Sequence, residues 1–311
     1  MELIRRLRER KASIGSTIYK SLLTLLLLML VVVIVFPIVI TVTHSFMSPS
    51  EIKIELAPIL GAKSDEENAD SLVKMLSEGE YVRLHWVPFQ VTLNAYYDIL
   101  LRQPQFLFLF WNSMKMTIPI VAGQLIVSLL AGYAFSQLRF RLRESLFFAY
   151  IVVMLMPFQV TLVPNYIMAN WMGLINSEWS IILPGIFSAF GVFLMRQFMQ
   201  AVPYSYVEAA RMDGAGHFTI MLTIVLPMCR SGMAALAVLA FIDHWNMVEQ
   251  PLIFLKDAMK QPLSVYLSYI NEGDIGIAFT ASVLYMLPAI LLMLYAEKEL
   301  VEGVQLSGIK G

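Results

Sequence analysis

From Leu22 to Ile40 the chain reads LLTLLLLMLVVVIVFPIVI, nineteen residues without a charge. As a helix at about 1.5 Å per residue, such a run is about as long as a bilayer's hydrocarbon core is thick. Water offers it no stable home, so lipid is the solvent in which this chain folds. The basic residues Arg5, Arg6, Arg8, Arg10 and Lys11 that precede it suggest a secretory leader. The run is too long for a leader's apolar core, however, and no small-residue cleavage site follows. It reads as a retained anchor.

The remainder agrees. The 311 residues are 58% hydrophobic and 14% charged, whereas soluble domains carry about 25% charged residues. Six runs are apolar for long enough to span: about 22–43, 113–136, 146–169, 180–200, 220–244 and 275–296. With the N-terminus inside, 14 of the 22 Lys and Arg fall on the inner side, which is the expected bias for cytoplasmic loops. Both termini are therefore expected in the cytoplasm, as is the loop after span four. The expected organisation is a basic N-terminus (1–21), a first membrane helix (22–46), a long external loop (47–111), a five-helix core (112–296) containing a loop at 203–219, and a tail (297–311). The single cysteine, Cys229, excludes an internal disulfide and any multi-cysteine metal site.

Pro119, Pro157, Pro164, Pro184 and Pro288 fall inside the runs and are expected to bend their helices. Ala122, Gly123, Ser128, Ala131 and Gly132 in the second run favour close helix packing. Asp243 and His244 lie near the outer end of the fifth run, where solvation is the ordinary state. In the outer loop, KSDEENADSLVKMLSEGEYVR is acidic, and Leu72, Val73, Met75 and Leu76 within it predict a short amphipathic helix.

Residues 208–227 read EAARMDGAGHFTIMLTIVLP, a polar, glycine-punctuated stretch between two apolar runs. Ser205 stands three residues before Glu208, the spacing of a capping box. Ala209, Ala210, Arg211 and Met212 favour helix, and Gly214 and Gly216 are expected to stop it. The prediction is about two turns of rigid helix, a turn, and re-entry into the membrane past Pro227.

Glu208, Ala209, Ala210, Gly214, Ile224, Leu226 and Pro227 match, spacing for spacing, the EAA signature of permease subunits of binding-protein-dependent ABC importers. Pro203 and Asp213-Gly214-Ala215 also look like that family. The segments LHWVPFQVTLNAYYDIL, FLFWNSMKMTIPI, FIDHWNMVEQPLIFL and VEGVQLSGIKG resemble its carbohydrate, MalG-like branch. The resemblance covers about 10–45 and 84–311, and 52–83 stands as an insertion.

The resemblance implies an all-α integral membrane protein with the ABC type I importer permease fold. It would have six transmembrane helices and a cytoplasmic coupling helix. It implies a second, homologous permease subunit, two copies of a cytoplasmic ATPase and an extracytoplasmic sugar-binding protein, with no nucleic acid partner. Glu208 through Gly214, with Arg211 and Asp213, would dock on the ATPase. Gly308, Lys310 and Gly311 would reach it from the tail. The chain has no G-x-x-x-x-G-K-[ST] and no cofactor site of its own, so ATP and magnesium would belong to the ATPase. Gln159, Asn165, Tyr166 and Tyr285 are the candidates for contact with a sugar in transit. Two alternatives stay open: a permease of this kind for a non-sugar solute, and an ion-coupled secondary transporter. An enzyme is disfavoured, since no nucleophile–base pair or H-E-x-x-H is readable.

Overall fold

The protein is seen in a computed structural model. It describes residues 2–48, 51–52, 88–269 and 275–308. The expected amphipathic helix around residues 72–76, nearly all of the insertion, and Lys310 and Gly311 lie outside the described residues. Every regular element among the described residues is helical. An isolated antiparallel bridge, Met47 with Val91, is the extended pairing found among them.

The chain divides into two compact units, Met1–Ile99 with Asn271–Val283, and Leu100–Ile270 with Leu284–Gly311. In the first unit, helix α1 (Glu2–His44) carries the apolar run that opened the sequence. The most apolar window of Tyr19–His44 has a mean hydropathy of 3.3, and none of it is buried within the protein. Its C-terminal end is tied down by Ser45, whose hydroxyl bonds that of Tyr96 at 2.8 Å and whose carbonyl accepts from Thr280 at 3.1 Å.

The second unit is built around α2 (Pro104–Gln137). It continues through α3 (Arg143–Met154), α4 (Phe158–Trp171), α5 (Trp179–Gly185) and α6 (Ala189–Gln200). Next come α7 (Tyr204–Met212) and α8 (His217–Ile220), then α9 (Arg230–Trp245), α10 (Glu249–Phe254) and α11 (Leu263–Leu267). The last helix is α12 (Ile275–Gly308).

The small residues of the second apolar run do what their size suggests. A Cβ added at Gly132 would sit 2.8 Å from the Cβ of Met195, so α2 and α6 approach backbone to backbone. Gly191 of α6 packs against Ser128 in the same seam, and its amide donates at 3.0 Å to the hydroxyl of Ser188, which caps the helix.

Among the described residues, four stretches are long and apolar enough to cross a membrane: Tyr19–His44, Pro104–Gln137, Trp179–Gln200 and Ile277–Val301. The other two expected spans are not single helices. Arg143–Met154 and Phe158–Trp171 meet at 100°, and His217–Met228 and Arg230–Trp245 at 79°. Pro157 explains the first break, because it stands in an extended conformation (ψ 140°) at the start of α4. If each bent pair is one crossing, the total is six.

Arg196 is buried in α6 at 6% exposure. Its guanidinium meets Glu144 at 2.9 Å and lies 3.6 Å from the centre of the Phe147 ring. This ties α6 to α3.

Candidate functional site

Helix α7 does not begin as the sequence spacing suggested. Pro203, with φ −60° and ψ 128°, takes the N-cap position, and no side chain caps the helix. Ser205 is thereby carried into the first turn, and the capping box with Glu208 does not form. Glu208 is exposed, and among the described residues its carboxylate has no hydrogen bond or ion pair.

The other end is tightly specified. Gly214 has φ +79°, a left-handed conformation that is costly for any residue with a Cβ. The Ala215 amide donates to the Ala210 carbonyl at 2.9 Å and the Gly214 amide to the Arg211 carbonyl at 3.0 Å. This pair of bonds is a Schellman motif and satisfies two of the helix's orphan carbonyls. Gly216 plays another part: at φ −74° and ψ 160° it is extended and starts α8.

Val207, fully buried, roots α7 in a core with Leu129, Tyr133, Met195, Met199 and Ile220. Ala210, Ala215, Ile224 and Leu226 pack against the same core. The signature positions therefore split by face. Ala210, Ile224 and Leu226 anchor the loop, while Glu208, Ala209, Arg211 and Asp213 are exposed. Tyr206, Met212 and Phe218 are exposed as well, Met212 at 88%. Arg211 partly folds back, donating to the Tyr204 hydroxyl at 3.3 Å. After α8 the backbone widens into a π-turn, Met221–Val225. Pro227 accounts for this, because it has no amide to close the tighter turn and its ring crowds the carbonyl four residues back.

At the far end of α9 lies a cavity of about 600 Å³ lined by Gln159, Asp243, His244, Asn246, Glu249 and Gln250, among others. Gln159 donates to the Glu249 carboxylate at 3.3 and 3.5 Å. A second cavity, about 460 Å³, shares Ile242 and Asp243 and reaches Gln124 on α2. Of the four candidates for sugar contact, only Gln159 lines these cavities. Tyr166 packs edge-on against Phe254 with ring centres 5.6 Å apart. Asn165 is half-buried beside it on α4. The Tyr285 hydroxyl donates to the Trp245 carbonyl at 2.7 Å and to Asn246 Oδ1 at 3.0 Å, bracing the end of α9. Gln124, Glu249 and Gln250 were not singled out from the sequence. For Gln124 the signal was available: an amide in the middle of the apolar run IPIVAGQLIV. Gly308 closes α12, and Lys310 and Gly311 fall outside the described residues.

Residues 124–298 match the family described as binding-protein-dependent transport system inner membrane component. The chain is 32% identical over 198 residues to the lactose transport system permease protein of Rhizobium radiobacter, covering 63% of this chain and 72% of that protein. It is 28% identical over 235 residues to the arabinooligosaccharides transport system permease protein of Halalkalibacterium halodurans, covering 74% and 84%. It is 30% identical over 201 residues to the sn-glycerol-3-phosphate transport system permease protein of Brucella abortus, covering 63% and 71%. Among solved structures, a chain of a bacterial ABC transporter involved in the import of the acidic polysaccharide alginate superposes with a TM-score of 0.72. That match covers 91% of this chain and 97% of the other at 22% identity, a likeness of fold.

Proposed function

This chain belongs to the family of binding-protein-dependent transport system inner membrane components, and from that premise we propose that it is the permease subunit of an ATP-driven carbohydrate importer. It takes an oligosaccharide from an extracytoplasmic binding protein and passes it through the membrane, and it does not itself hydrolyse ATP. With each bent pair counted as one crossing, the lysine and arginine bias of the loops supports both termini and α7 on the cytoplasmic side.

The observation that carries this reading is α7 itself. A nine-residue helix is too short to hold its shape alone in water. Here a buried Val207 and a Schellman cap fix it, while Glu208, Ala209, Met212 and Asp213 face outward. A rigid knob with two carboxylates and exposed apolar side chains suits insertion into a cleft of a partner ATPase. Closure of two ATPase copies on nucleotide then moves α7 and the core behind it. ATP biases the permease only through its different affinity for the two states. The apolar surface of α1, unburied within the chain, suits a second permease subunit as well as lipid. The arabinooligosaccharide and lactose relatives favour a sugar.

The test is Glu208→Ala in the assembled importer. Uptake and binding-protein-stimulated ATP hydrolysis should fall at least tenfold while the complex stays intact by size-exclusion chromatography. Undiminished uptake by this variant would overturn the reading.

A further inference from the structure

Resting on the permease reading, we infer that the wall around Asp243 is a hydrogen-bond acceptor surface that selects uncharged, hydroxyl-rich solutes and rejects anionic ones. The named relatives do not decide this, because their printed solutes include both uncharged sugars and a phosphate ester.

Four side-chain amides around Asp243 have their nitrogens engaged within the protein. Gln124 Nε2 donates to the Gly185 carbonyl at 2.7 Å, and Asn246 Nδ2 to the Ile242 carbonyl at 2.8 Å. Gln250 Nε2 donates to the Ser180 carbonyl at 3.5 Å, and Gln159 Nε2 to the Glu249 carboxylate at 3.3 Å. Each partner is a carbonyl or carboxylate that can only accept. The nitrogen must therefore face it, and the amide orientation is fixed by chemistry.

The donors are thus consumed within the protein and the acceptors remain. The Oε1 atoms of Gln124, Gln159 and Gln250 receive no hydrogen bond among the described residues. Gln124 is 4% exposed as a residue and lines the second cavity, where its oxygen is left without a partner. The Asp243 side chain is 83% exposed and stands 3.8 Å from His244 Nδ1. That nitrogen is engaged by the Ala240 carbonyl at 2.9 Å. Neither cavity is lined by a lysine or arginine. A sugar hydroxyl can donate to every one of these oxygens. A fully ionised phosphate or carboxylate group offers acceptors where a hydroxyl would offer a donor, plus a charge repelled by Asp243 and Glu249.

The test uses Val248→Cys, which lines the larger cavity, in the complete importer, with the native complex as control for the buried Cys229. Methanethiosulfonate reagents of opposite charge should differ about tenfold or more in rate, cationic over anionic, after correction for intrinsic reactivity. Asp243→Asn with Glu249→Gln should collapse that ratio, and Asp243→Glu should keep it. A neutral oligosaccharide should protect the cysteine, and the same oligosaccharide with one terminal alcohol oxidised to a carboxylate should not. Equal reagent rates, or equal protection by the two sugars, would overturn the inference. Binding-protein-stimulated ATP hydrolysis of the same complex reports separately on the permease reading: its absence sinks that reading while the reagent ratio still describes the wall.

Discussion

Gly214→Ala tests the cap of α7 directly. A Cβ at Gly214 would meet nothing within 4 Å, so the cost is purely torsional. Holding an alanine at φ +79° costs about 1–2 kcal/mol. Restricting the unfolded chain returns about 0.4–1 kcal/mol. The net loss is about 1 kcal/mol, roughly a fivefold change in the equilibrium between the closed and open cap. Hydrogen exchange reads this equilibrium at the amides of Gly214 and Ala215, which make the two capping bonds. Their protection should fall about fivefold in Gly214→Ala. It should fall less in Gly214→Asn, since asparagine tolerates the left-handed region better. Gly216→Ala is the internal control, at φ −74° with nothing near its Cβ; it should leave protection unchanged or slightly raised. If Gly214→Ala and Gly216→Ala behave alike, the cap is not what holds α7.

Two further outcomes follow from the packing. Glu144→Ala should lower the thermal midpoint of the solubilised protein more than Arg196→Met, because the first strands a buried guanidinium and the second leaves an exposed carboxylate. Gly191→Ala should destabilise by about 1–3 kcal/mol through overpacking against Ser128. Ser128→Gly in the same chain should recover much of that loss, since the Ser128 hydroxyl is buried without a partner; denaturation of the single and double variants measures the coupling.

The apolar runs were legible because lipid demands length and hydropathy, and both are written locally. Pro104–Gln137 overlaps the expected span at 113–136 with nine more residues at its start. The two sharp bends were less legible. Pro157 marks the first, but the 100° angle depends on what α3 and α4 pack against. The second falls at Cys229, which carries no breaking signal of its own, two residues after Pro227. In the loop, Gly214 announced its role because only a left-handed cap needs glycine there. Ser205 misled because Pro203 supplied the extended cap residue first and shifted the helix start by two residues. The polar wall was harder still. Gln124, Gln159 and Gln250 are far apart in the chain, and their unused oxygens exist only because two distant carbonyls and the Glu249 carboxylate took their nitrogens.

One element links the loop to that wall. Helix α9 starts at the bend beside Cys229, whose side chain belongs to the same core as Val207. It ends at Trp245, just past Asp243 and His244. Its 16 residues span about 24 Å at 1.5 Å per residue. Gly232 presses it against Phe198 of α6: an added Cβ would lie 2.5 Å from that ring, so α9 has no slack toward α6. At the far end Trp245 is buried, its indole donating to the Tyr285 carbonyl at 3.1 Å and its ring stacked on that of Tyr285. A displacement of the core that holds α7 is therefore not absorbed along α9 by loose packing. The braced end of α9 carries Asp243 into both cavities. On the permease reading proposed above, the bent pair, which the sequence presented as one span, turns a push at the loop into a change of tilt at the wall around Asp243.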